Sequence, residues 1–244
     1  MAGIFSSCYR TAHDNQRREL FAIIYASLKG VISKEDFRRY VLHLDNKLHL
    51  EFNSTFLNKW LLDVFVDEFP DAKFIFTIRD CYSWLNSFIF GNGPLLINSK
   101  ISSEEERFIN AIFERDTQKQ GKEEWYLFNN GFYTLDTLLS YWVKMNSEIL
   151  SSLPRSRMLV VKTHEIANKK NEIADFLNIS PDTLDYTKSH LHKSVKHPNV
   201  LSEIDVRACP PPLKHSQSKS KPFYNPCLRR SLEPADFFEF HVSY

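Results

Sequence analysis

The chain has 244 residues, 43% hydrophobic and 25% charged, with a formal net charge of +1. That length suits one α/β domain with a sizeable core, and the near-neutral charge gives no argument for nucleic acid or an anionic membrane as a partner. No apolar run approaches the roughly 20 residues that span a bilayer, no basic segment leads into an apolar stretch as in a signal peptide, and the four cysteines lack metal-ligand spacing, so free thiols in a cytoplasmic protein without a metal are the expectation.

Residues 15–29 place Leu20, Phe21, Ile24 and Leu28 at helical spacing, with Gly30 as the stop. Ser33-Lys34-Glu35-Asp36 resembles a capping box and predicts a second helix. In KLHLEF, residues 47–52, the alternation of Leu48, Leu50 and Phe52 predicts a short strand. Asn53 or Ser54 should then cap a helix striped with Phe56, Leu57, Trp60, Leu61 and Val64 and closed near Pro70. Residues 73–78, KFIFTI, have almost no polar alternation and predict a strand covered on both faces. The segment 91–133 is polar and irregular apart from a helix near Glu104–Arg115. Residues 135–153 repeat apolar side chains at three and four, and Pro154 ends that helix. MLVVKT, 158–163, reads as a second fully buried strand, and 171–179 as one more short helix. From about residue 207 to 244 the chain is proline-rich without periodicity, and an extended or disordered tail is expected.

Buried strands alternating with helices imply a central parallel sheet flanked by helices on both sides. Such sheets bind ligands at the carboxyl ends of their strands, where Arg79 and Thr163 both stand. A guanidinium is a planar fork of donors suited to phosphate or sulfate oxygens. With 83–90 helical, Ser87 lies one turn after Ser83 and could grip the same anion from the other side. An Arg79–Asp80 surface ion pair beside a solvent-facing serine is the alternative.

FPDAKFIFTIRDCYSWLNS, residues 69–87, resembles the 3′-phosphate-binding segment of the sulfotransferases that use PAPS, 3′-phosphoadenosine 5′-phosphosulfate. There a strand ends in Arg, Asp-Pro or Asn-Pro follows, and a Ser lies eight residues after the Arg; here Cys81 replaces the Pro. YRTAHDN, 9–15, is similar to the YRxxHEPE segment of bacterial members, and 139–179 to their later helix, strand and helix centred on VVRTHEI. The resemblance covers about residues 3–206 and implies a P-loop-NTPase-like three-layer fold with PAPS as co-substrate. It implies that Arg79 and Ser87 hold the 3′-phosphate and that Thr163 lies by the adenine, with a bonded strand-end hydroxyl as the alternative. Lys193, within the cationic cluster His190, His192, Lys193 and Lys196, is similar to a family loop near the 3′-phosphate, or is part of a plain charged surface. Asp14 and His13 stand where the family has its base, though Asp14 could be a helix N-cap and His13 a surface residue. The first strand and the glycine-rich phosphate loop of the family are expected ahead of Gly3, and no other glycine supplies a substitute. The implied activity is transfer of the sulfuryl group to a hydroxyl or amine of a small molecule, possible examples being natural products of the saxitoxin type. The alternative is a truncated or degenerate remnant that binds the 3′-phosphoadenosine group without turnover.

Overall fold

The computed structural model describes residues 1–91, 102–113, 124, 127, 129, 132–188 and 240–243. The elements in chain order are α1 (Ala2–Phe5), β1 (Thr11–His13), α2 (Arg17–Leu28), α3 (Lys34–Leu48), β2 (Phe52–Ser54), a 3₁₀ helix (Phe56–Leu61), α4 (Leu62–Glu68), β3 (Lys73–Ile78) and α5 (Cys81–Gly91). They continue with α6 (Ser103–Ile112), α7 (Leu135–Ser152), β4 (Met158–Lys162), a 3₁₀ helix (Thr163–Asn168), α8 (Lys170–Leu177) and β5 (Phe240–Ser243).

Local chemistry sets several of these boundaries. Gly30 takes a left-handed φ of 67°, and the amides of Gly30 and Val31 return to the carbonyls of Ser27 and Ala26, closing α2 in a Schellman turn. The Ser33 hydroxyl oxygen accepts the Asp36 amide at 3.0 Å, and the hydroxyl donates to the Asp36 carboxylate at 2.6 Å. The aspartate is too short for the reciprocal backbone bond of a full capping box. Arg157 donates to the carbonyls of Val66, Phe69 and Pro70 and so ties off the end of α4.

The sheet has the order β1-β2-β5-β3-β4. β1 pairs parallel with β2, β3 pairs parallel with β4, and β5 runs antiparallel between β2 and β3. β1 to β4 therefore all point the same way, and their carboxyl ends share one edge. Phe74 and Phe76 of β3 pack into a core with α2 to α7, while Ile75 joins Phe52 and Val161 in a second core with α1 and α8. Helices thus cover both faces, and β3 carries fully buried side chains on each, worth about 1.5–3 kcal/mol apiece.

The structure corrects several sequence expectations. The sheet is mixed, because an antiparallel strand sits at its centre. KLHLEF is not a strand: Lys47 and Leu48 finish α3, His49 caps it with a φ of 47°, and β2 begins at Phe52. The residue that caps the following 3₁₀ helix is Thr55, whose hydroxyl oxygen accepts the Leu57 amide at 3.3 Å. The strand at 158–162 is not fully buried; it lies at the sheet edge, and Val160 is 41% exposed. Thr11–His13, for which the sequence predicted no element, forms β1, and residues 240–243, expected to belong to an extended or disordered tail, form β5. The rest of that tail lies outside the described residues.

Candidate functional site

β3 delivers Arg79 to the carboxyl edge, and Asp80 starts α5 there: its carboxylate accepts the amides of Tyr82 and Ser83 at 3.2 and 2.9 Å. Cys81 takes the first helical position, where a proline is also well suited because the amide there has no helical partner. Trp84, Leu85 and Ile89 are buried and hold α5 against the core. Arg79 is only 4% exposed, and its Nη1 donates to the Ser83 carbonyl at 3.3 Å. In a regular helix that carbonyl also receives the Ser87 amide, so the guanidinium lies within one turn of Ser87. The Ser87 hydroxyl is itself buried and makes no hydrogen bond to the described residues. Burial pushes the Arg79 guanidinium down to about 9, while the Asp80 carboxylate works in the opposite direction. At neutral pH the group stays charged, so a buried cation and a buried hydroxyl share one strand-to-helix turn.

The second half of the edge is built by β1 and β2. Asp14 leaves β1 with a φ of 50°, and its amide donates to the Ser54 carbonyl at 3.0 Å. Its carboxylate accepts the Thr55 hydroxyl at 2.7 Å and faces Arg17 at 3.4 Å. Arg17 also pairs with Glu105 of α6 at 2.7 Å and lies over the rings of Phe21 and Phe56. The residue capping α2 is Gln16, not Asp14, and it makes no side-chain cap bond. His13 is exposed, with Nδ1 3.2 Å from the Ser54 carbonyl oxygen. With the proton on Nδ1, that carbonyl orients the ring and Nε2 is the basic nitrogen. His13 and Arg79 end strands three places apart in the sheet, about 14 Å at roughly 4.8 Å per place.

The Thr163 hydroxyl, at the end of β4, donates to the Ile78 carbonyl at 3.2 Å. Lys193 and its cationic neighbours lie outside the described residues. Sequence reading missed Thr55 and the Arg17–Glu105 pair. A signal for Thr55 existed, since threonine is a good capping residue, but nothing in the sequence joins Arg17 to a helix some ninety residues away. Among the described residues no group of three or more His, Cys, Asp or Glu side chains is placed to hold a metal ion, and no helix is long and apolar enough to cross a membrane. Comparison with protein-family models, curated proteins and solved structures yields no match to the chain.

Proposed function

We propose that this chain is a cytoplasmic sulfotransferase of P-loop-NTPase-like fold that binds PAPS by its 3′-phosphate. The observation that carries the reading is the buried Arg79 guanidinium beside the buried Ser87 hydroxyl at the carboxyl edge of same-direction strands. A phosphate there would accept charge-assisted bonds from the fork and one bond from the hydroxyl. Thr163, at the end of the neighbouring strand in the same edge region, suits the adenine side of such a ligand, and the cationic residues around Lys193 in the sequence would suit its phosphate by charge.

The separation along the edge also supports a donor bound lengthwise, with its 3′-phosphate at Arg79 and its reacting end toward β1. In the transfer, the acceptor oxygen or nitrogen forms a bond to sulfur, and the bond from sulfur to the 5′-phosphate oxygen breaks. The acceptor proton goes to a base, and adenosine 3′,5′-bisphosphate leaves. His13 is the better-placed base, because Asp14 already accepts from Thr55 and faces Arg17; Asp14 then positions the turn that carries His13. The acceptor is a small molecule with a hydroxyl or amine, and natural products of the saxitoxin type belong to that class.

Charge building on the leaving 5′-phosphate needs a cradle of N–H donors. Among the described glycines, Gly3 lies within α1, Gly30 closes α2 and Gly91 ends α5. This favours, as a second reading, a chain that binds the 3′-phosphoadenosine group without turnover. The test is calorimetric binding of adenosine 3′,5′-bisphosphate against adenosine 5′-phosphate. A clear preference for the bisphosphate is expected, and equal or absent binding of both overturns the donor assignment.

A further inference from the structure

β2 and β3 do not pair with each other. Three positions of β2 pair with β1 and three with β5, so β5 supplies as much of the pairing of β2 as its parallel neighbour does. On its other edge β5 pairs with four positions of β3, from Lys73 to Phe76. His241 stands opposite both Ser54 and Ile75, and Val242 opposite both Asn53 and Phe74. The walls of this slot are core: Phe52, Phe74, Ile75 and Phe76 are all essentially inaccessible to solvent. Without β5 the sheet is two separate two-stranded parallel pairs, each presenting a row of unpaired amides and carbonyls from inside the core. Buried backbone groups left in that state are costly, and two-stranded units are marginal alone.

β5 also differs from the other strands in its direction and in its place in the chain. It is the only antiparallel strand among the described residues, and it follows β4 by more than seventy residues. Antiparallel pairing on both edges is the geometry of an added strand, in which main-chain bonds supply the affinity. We propose that the cleft between β2 and β3 is a strand-binding slot and that residues 240–243, Phe-His-Val-Ser, are its ligand, held by pairing on both edges and exchangeable for the same segment supplied separately. The slot sets the distance between the β1–β2 half of the carboxyl edge and the β3 half. The assignment of Arg79 and Ser87 to a phosphate plays no part in it.

The experiment uses the full chain with a site-specific protease sequence inserted between residues 212 and 222. After folding, the chain is cut and challenged with an excess of a labelled peptide of residues 236–244. Amide hydrogen exchange is read at Phe52–Ser54 and Phe74–Phe76. The C-terminal fragment should stay bound after cutting, exchange with the labelled peptide, and not exchange with a peptide carrying Val242→Pro, which cannot complete the ladder. In uncut Val242→Pro protein, exchange in both strands should accelerate together by tenfold or more. A fragment that leaves on cutting while both strands keep their protection overturns the proposal. So does faster exchange in one strand alone, or equal uptake of the proline peptide.

Discussion

Replacing Arg79 by methionine separates a binding residue from a structural one, because the two roles predict opposite signs. The guanidinium is almost wholly buried and pushed down to about 9. That depression, caused mainly by burial, means the charge is held at an unfavourable cost on the order of a few kcal/mol in the free protein. Methionine fills similar space without a charge, and such replacements are often neutral or stabilising. Arg79→Met should therefore leave the urea midpoint unchanged or raise it. The same change removes a charged donor fork from a bound phosphate, at about 1.5–3 kcal/mol, or about 10- to 150-fold in Kd. Adenosine 3′,5′-bisphosphate should show that loss in calorimetry, and adenosine 5′-phosphate should be nearly indifferent. A large fall in stability with equal losses for both nucleotides would refute the reasoning and make Arg79 a helix-anchoring residue through its bond to Ser83.

Ser87→Ala should weaken the bisphosphate by about 0.5–1.5 kcal/mol, with a non-additive double mutant if both groups hold one phosphate; strict additivity in titration would separate them. Affinity for the bisphosphate should be flat from neutral pH to about 8.5 and fall above about 9, because the anion needs the charged Arg79. On the account of Arg79 alone, stability should instead rise with pH above about 9, since the unfolded guanidinium keeps its proton longer; titrations and melts at pH 7.5, 8.5 and 9.5 check both signs. Arg157→Ala should cost about 1–3 kcal/mol in urea unfolding, because three carbonyls near the end of α4 lose their donor, with nucleotide binding unchanged. Transfer of labelled sulfate from PAPS should fall far more in His13→Asn than donor affinity does, and full activity in that variant would move the base elsewhere.

The strand ending in Arg79 was legible because an unbroken apolar run closed by a cation is a strong local pattern, whereas the Asp80 cap that starts the helix at Cys81 was not read from it. The helix at 34–48 was legible at its start and misjudged at its end. Leu48 satisfies both an alternating pattern with Leu50 and a four-residue spacing from Leu44, and the helical spacing prevailed. β1 is three residues long, too short for a period to show, and its pairing with β2 is set by tertiary contact. β5 was invisible for a related reason: four residues after a proline-rich stretch carry little pattern, and their partners stand at 52–54 and 73–76. Of the candidate site, the identity of the rim residues could be read, but not their environment. Burial of Arg79 is a product of tertiary packing, and the capture of Asp14 by Thr55 joins residues 41 positions apart.

The antiparallel strand also governs when folding can finish. Ser54 meets His241 across most of the chain, a pairing of very high contact order, and closing so long a loop is slow compared with forming the helices around it. A nascent chain will have made β1 to β4, with two hydrophobic half-sheets and four raw edges between and beside them, well before β5 is translated. For that interval the protein resembles an aggregation-prone intermediate. Its yield in a cell should then depend on translation speed and chaperone supply more steeply than its final stability alone would suggest.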